Sequence, residues 1–486
     1  MRFSRISAGA ASVALLVTAG MATSQTRQRQ LGAGEIRQAQ TAHPQIVQEF
    51  GGAETGPRAA YVTAVGRRVA AQSSIVNAGT ATTITTLNSP VMNAFSIPGG
   101  YVYITRQLMG VMNDEAELAS VLGHEVGHIA ANHQKSRSRS GLLGQLLSVG
   151  AAVLTGSQEV GQIVGQGSQL LTLKFSRNQE FESDALGVRY LAGAGYDPSA
   201  TASMLTQLGN ATTLESRVAG RDDERTTPSW ARTHPLSADR VRRAQVEAQK
   251  TGKAGVGLRN RDQFLAALDG VMVDDDPRQG VIDGSQFTHP VLRLRFTAPQ
   301  GYTMQNGTTA VAIQGQGGQA QFGTGAYNGD LTSYVTAVYA ALGSGESQLQ
   351  VPQPRTTTVN GRQAAYTVAR VQAQQGALDV GVFAYRWDAT HAYHFMTITP
   401  AGSEFGPFSP MIQSLSSISA SEAAAIRPRM IDVVTVKSGD TVQSLGNRMA
   451  YRDYKVERFT TLNGLSANDA LRSGQKVKLV VYGAGR

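Results

Sequence analysis

The chain has 486 residues, room for roughly three domains of ~150 residues each. Its 41% hydrophobic and 16% charged residues fit globular cores rather than disorder or a coiled coil. There is no cysteine, which excludes disulfides, thiolate metal sites and a cysteine nucleophile, and leaves histidine and carboxylates as metal ligands. The net charge of +9 is not spread as a basic face: residues 427–486 hold eleven Lys/Arg against five Asp/Glu, Arg2 and Arg5 add two more, and the rest is close to neutral. Nucleic acid is therefore not an expected partner.

The N-terminus has a short basic start, an apolar run from about Ile6 to Val17, and small residues ending near Ala22-Thr23-Ser24. That order is the one of a secretory signal peptide over residues 1–24, with a signal anchor as the alternative. The absence of cysteine after the run excludes a lipoprotein. The expected location is periplasmic or secreted. No other stretch approaches the ~20 apolar residues of a spanning helix, so membrane contact is not expected through one.

Residues 25–42 form a Gln/Arg-rich lead-in, and Pro44 to about Lys250 reads as mostly helical. Ala59–Gln72 has apolar residues at helical spacing, Thr82–Leu87 reads as a strand, and Pro98-Gly99-Gly100 turns between strands Ala94–Ile97 and Tyr101–Thr105. Glu115–His133 reads as an amphipathic helix capped by Asn113-Asp114. Residues 285–400 alternate β-branched and polar residues around one helix, Ser333–Leu342, as in a separate α+β domain placed at 280–415. Ser416–Arg429 reads as a linker, and a compact module follows at 432–482.

The pattern that carries chemistry is His124-Glu125-Val126-Gly127-His128. Histidines at i and i+4 share a helical face and can reach one zinc ion, while Glu125, offset by about 100°, faces a water that it could deprotonate. The longer HExxHxxGxxH motif fails, because Ala131 and Gln134 stand where Gly and His are required. His133 lies roughly 140° round the helix from His128, a supporting or surface position. A later segment, Glu180-Phe-Glu-Ser-Asp184, offers Glu180 and Asp184 on one face: Glu180 as third ligand, Asp184 as acceptor for the free N–H of a ligating histidine. Glu182 points elsewhere. Acidic residues on helices usually face solvent, so the residues alone leave this assignment open.

The run from Tyr61 through Asn93-Ala-Phe-Ser-Ile-Pro-Gly-Gly-Tyr-Val-Tyr-Ile, HEVGH, Phe175-Ser-Arg-Asn-Gln-Glu-Phe-Glu-Ser-Asp, Gly195-Tyr-Asp-Pro198 and Thr233-His-Pro235 resembles the HtpX/BepA-type gluzincins, relatives of the CAAX prenyl protease. The likeness covers roughly residues 45–245, and its most specific part is ExxxD beginning 52 residues beyond His128. It implies one Zn²⁺ per chain on His124, His128 and Glu180, with Glu125 as catalytic base. By the same resemblance His234 stabilises an oxyanion or occupies the open coordination position in a resting state; a plain structural histidine ahead of Pro235 is the other reading. Tyr101–Thr105 is expected to offer its edge to an extended peptide. The Gly- and Leu-rich stretch Gly141–Leu173 is expected to form a helical hairpin over the cleft.

The tail, Val434-Thr-Val-Lys-Ser-Gly-Asp-Thr-Val-Gln-Ser-Leu, then Leu462-Asn-Gly-Leu and Leu471-Arg-Ser-Gly-Gln-Lys-Val-Lys-Leu, resembles a LysM module, a βααβ fold that binds peptidoglycan in that family. The expected fold class is α+β: a mostly helical zincin peptidase domain (25–250) with a small edge sheet, an α+β domain, and a LysM-like domain. The expected function is a zinc metalloendopeptidase of the bacterial envelope acting on misfolded or misassembled proteins. The rivals are a LysM-anchored scaffold or chaperone with a latent zinc site, and a peptidoglycan hydrolase.

Overall fold

The computed structural model describes residues 28–134, 175–218, 229–342, 351–373 and 376–483. The segments expected to be a signal peptide (1–24) and a helical hairpin (141–173) lie outside the described residues. Within them, helix and sheet are mixed, and none of the helices is long and apolar enough to cross a membrane.

The HExxH helix runs Glu115–Ala130 and is capped by Asp114, whose carboxylate accepts from Glu117 N at 2.9 Å. An amphipathic helix was expected here. Every residue from Glu115 to Ile129 is instead buried, because the helix runs through the centre of the domain. Around it pack the helices Pro57–Ala70, Arg177–Gly193 and Ala200–Val218. Arg177–Gly193, which bears ExxxD, approaches so closely that a Cβ on Gly127 would lie 3.1 Å from Ser183 O, and one on Gly187 3.2 Å from His124 N. Glycine at these crossing points lets a carboxylate on one helix reach histidines on the other.

Three strands flank the HExxH helix: β1 (Thr83–Leu87), β2 (Ala94–Ile97) and β3 (Tyr101–Thr105). Their order is β1-β3-β2, with β1 parallel and β2 antiparallel to β3. The expectation that β3 offers a free edge is therefore wrong. Its hydrogen bonds are used on both sides, and the edge beside the HExxH helix belongs to β2. The β2–β3 turn needs glycine: Gly99 has φ +90°, and a Cβ there would stand 2.6 Å from Glu35 O of helix Ala33–Glu49.

Residues 303–400 form a seven-stranded antiparallel sheet, spatially ordered Arg355–Val359, Arg362–Ala373, Gly376–Arg386, Ala392–Pro400, Gly318–Thr324, Val311–Gly315, Thr303–Asn306. Helix Leu331–Leu342 buries Val335 and Tyr339 against one face; Phe405, Phe408 and Met411 fill the other. The stretch expected as a linker contributes a short strand, Ser416–Ser417, to a second sheet, and a helix, Ala420–Ala425.

The C-terminal module is β (Arg429–Thr435), α (Val442–Gly446), α (Lys455–Asn463), β (Lys476–Tyr482), with Met272–Val273 added as a third strand. Its apolar residues Ile431, Phe459, Val477 and Leu479 belong to the same core as Leu118 and Val126 of the HExxH helix. The module is packed into the first half of the chain, not strung from it.

Widening the helix crossing tests whether it positions the histidines. Gly127→Val should cost about 1–3 kcal/mol by overpacking against Ser183. It should also abolish stoichiometric metal uptake, as read by thermal unfolding and elemental analysis.

Candidate active site

Four side chains from three segments converge in the interior: His124 and His128, Glu180 from Arg177–Gly193, and His234 just after the short helix Ser229–Thr233. All four are buried, with one ligand atom from each lying within 4.8 Å of the others. His124 Nε2 is 3.0 Å from His128 Nε2, 3.2 Å from His234 Nδ1 and 3.6 Å from Glu180 Oε2. Glu180 Oε1 is 3.5 Å from His128 Nε2 and 3.0 Å from His234 Nδ1. Four donors tetrahedrally placed about 2.0–2.1 Å from one ion would be separated by roughly 3.3–3.4 Å. The observed separations bracket that value, and three nitrogens and one oxygen are a donor set zinc accepts. The residues fit a zinc ion.

The surrounding contacts set the tautomers. Asp184 Oδ1 lies 2.9 Å from His124 Nδ1, so a proton on Nδ1 faces a carboxylate and Nε2 keeps its lone pair for the metal. Burial works against a charged His124, yet the Asp184 contact outweighs it and raises the imidazole above its ordinary value. Burial holds His128 well below its ordinary value, in the neutral form that ligates. His133 Nδ1 is 3.0 Å from His128 Nδ1, and its Nε2 is 3.2 Å from Glu182 Oε2. One arrangement satisfies both contacts: His133 donates to Glu182 and accepts from His128 Nδ1, which again frees His128 Nε2. Glu182, expected to point elsewhere, thus acts on the site through His133.

The carboxylates are held ionised by a residue that sequence reasoning did not single out. Arg240, on helix Ala238–Lys250, makes a bidentate pair with Asp184 at 2.7 and 2.8 Å and reaches Glu180 Oε2 at 2.8 Å. Burial alone would raise both carboxyls. For Asp184 the Arg240 guanidinium prevails and holds it down at about 2. For Glu180 the charges on His234 and Arg240 together hold it well below the carboxylate range.

Glu125 is fully buried beside the cluster. Ser96 Oγ, from β2, donates to its Oε2 at 3.0 Å, while Oε1 has no hydrogen-bond partner among the described residues and lies 3.5 Å from His234 Nε2. Gln134 Nε2 donates to Ser96 O at 3.1 Å, occupying a carbonyl of that edge strand. Rings pin the histidines: Phe175 stacks on His128 at 3.7 Å between centroids, and Trp230 on His234 at 4.2 Å. Arg240 and Ser96 left no local signal in the sequence, since each acts on a residue far away in the chain.

Residues 57–248 match the model of peptidase family M48, and residues 434–480 match that of the LysM domain. The chain carries an M48 peptidase domain and a C-terminal LysM domain. The M48 domain is similar to the mitochondrial metalloendopeptidase OMA1 of Arabidopsis thaliana, 34% identical over 25% of each chain. It is also similar to the putative beta-barrel assembly-enhancing protease of Vibrio cholerae, 31% identical over 39% of each chain. The metalloprotease LoiP of Escherichia coli is 31% identical over 31% of this chain and 56% of its own. The chain thus spans from a quarter to just over half the length of these relatives. All three are named as proteases, two of them as metal-dependent ones, and the matched M48 segment contains all four converging residues together with Glu125, Asp184 and Arg240.

The M48 site depends on Arg240 for its charge balance. Arg240→Met would leave Asp184 and Glu180 buried with no guanidinium, a loss of about 3–5 kcal/mol. Chemical denaturation of the metal-free protein would measure it; a change below ~1 kcal/mol would show that Arg240 is not the counter-charge.

Proposed function

We propose that the protein is a zinc-dependent endopeptidase of the bacterial envelope that hydrolyses peptide bonds in misfolded or misassembled proteins. The observation that carries this reading is the buried His124–His128–Glu180–His234 cluster with a carboxylate oxygen of Glu125 beside it that has no hydrogen-bond partner among the described residues. Relatives named beta-barrel assembly-enhancing protease and a LysM domain support an envelope setting, as does the signal peptide expected at residues 1–24. The LysM domain supports peptidoglycan contact through residues 432–482.

His124, His128 and Glu180 would hold the zinc, which when bound supplies a Lewis acid that polarises the scissile carbonyl and acidifies water. Glu125 acts as general base through Oε1, with Ser96 holding Oε2 and fixing the direction of the carboxylate. Glu125 then delivers that proton to the leaving amine. The free edge of β2 positions the substrate as an added strand, provided that Gln134 yields Ser96 O.

His234 decides between rest and work. With Nδ1 among the ligand atoms it completes four protein donors, a closed arrangement of the structural kind, whereas catalytic sites keep one position open. In the working state His234 would swing away and present an N–H to the developing oxyanion. The same closure favours the second reading, a LysM-anchored scaffold whose zinc site stays latent.

Zinc content and casein cleavage, compared between the mature chain and Glu125→Gln, separate the two. The peptidase reading expects about one zinc in each and a fall of at least ~10²-fold in cleavage for the variant. Zinc in both with cleavage in neither would favour the scaffold, and zinc in neither would end both readings.

A further inference from the structure

The turn that launches the HExxH helix is held by side chains that also hold the LysM domain. Helix Arg106–Val111 ends here, and residues 110–113 lead to the Asp114 cap. Four successive carbonyls in this turn accept hydrogen bonds from outside it. Lys478 Nζ donates to Gly110 O at 2.9 Å and also to Met112 O. Gln207 Nε2 donates to Val111 O at 3.0 Å, and Arg261 Nη1 to Asn113 O at 2.7 Å.

Two of these donors face both ways. Gln207 Nε2 also donates to Thr461 O, and Arg261 Nη2 to Lys476 O at 3.3 Å, both acceptors in the LysM domain. Lys478 itself sits on the last LysM strand, with no exposed surface. Its backbone is fixed within that domain by Asn463, whose Oδ1 accepts from Lys478 N at 2.7 Å and whose Nδ2 donates to Lys478 O at 2.9 Å. The strand KVKLVVY would place a lysine in solvent if one face were open. Here both faces are covered: Nζ faces backbone oxygens, burial lowers the amine to about 7, and the buried Glu117 carboxyl in the first turn of the HExxH helix opposes that shift. Glu117 in turn accepts from Asn113 N at 2.7 Å and from Ser203 Oγ at 2.8 Å.

A buried amino group is costly unless its N–H groups are taken up, so the arrangement forms only with the LysM strand seated against this turn. Lys478 therefore fixes the axial and rotational position of the helix start. Glu125 lies ten residues further on, about 15 Å along the axis at 1.5 Å per residue. A helix rotated or slid at its start carries His124, Glu125 and His128 with it.

We infer that the LysM domain clamps the start of the HExxH helix, with Lys478 a positioning residue for the active site. The peptidase then works only with the module seated. This rests on the peptidase reading for its kinetic arm alone.

The test uses the full mature chain with Lys478→Met, and Val442→Ala as a control that trims a buried LysM side chain without removing any of the hydrogen bonds to the turn. Hydrogen exchange over residues 110–125 is the readout that needs no activity. It should speed up at least ~10-fold for Lys478→Met and stay unchanged for Val442→Ala. In casein cleavage, kcat should fall at least ~10-fold at unchanged KM for Lys478→Met only, since small misplacements of reacting groups are costly in rate. If Lys478→Met does not fold, Gln207→Ala and Arg261→Met should show the same exchange signature in milder form. Equal exchange in Lys478→Met and Val442→Ala would overturn the clamp. Altered exchange with an inactive wild type would leave the clamp standing and sink the peptidase reading.

Discussion

The site is governed by buried charge. Glu125, Glu180 and Asp184 lie together in the interior, and Arg240 is the guanidinium among them. With the histidines neutral, as ligation requires, three ionised carboxylates against one guanidinium would leave about two negative charges uncompensated by side chains among the described residues, a costly state in a low-dielectric interior. A divalent cation among the histidine nitrogens would restore neutrality. In the proposed reading the metal would then be part of the electrostatic balance as well as the Lewis acid. Arg240 then has a definite place: it carries the share of negative charge on Asp184 and Glu180 that one dication cannot.

Geometry follows from how closely the helices approach. Gly127 and Gly187 remove the side chains that would separate the HExxH helix from the Arg177–Gly193 helix. The reach of a glutamate is then enough to bring Glu180 to His128. On the other side β2 supplies Ser96, so Glu125, the proposed general base, is steered by the strand proposed to hold the substrate. Substrate position and base orientation are thereby set by one element. The start of the HExxH helix is fixed from a third direction, by Lys478 and the LysM strand that carries it.

Some of this was legible in the residues and some was not. HExxH announces itself because both histidines lie on one helix, and ExxxD because Glu180 and Asp184 share a face. The contact of Asp184 with His124 follows the usual support of a metal ligand. Glu182 misled, since its position on the helix points it away from the metal, yet it meets His133 from the next layer. Arg240, Ser96 and Lys478 act across 56, 29 and about 366–368 residues of chain, and no local pattern encodes such distances. The order β1-β3-β2 escaped for a related reason: a β2–β3 hairpin is readable, but the parallel pairing that buries the outer side of β3 depends on where β1 returns. The βααβ tail was readable from its turns, while its seating against the HExxH helix was not.

X-ray absorption at the zinc edge of the full mature chain tests the four-donor site most directly, and His234→Ala is the comparison. The account predicts one zinc bound by three imidazoles and one carboxylate at about 2.0–2.1 Å, with two imidazoles left in the variant. Two imidazoles in the unaltered protein would contradict the closed resting site. Failure to retain zinc at all would contradict the charge argument on which the rest depends.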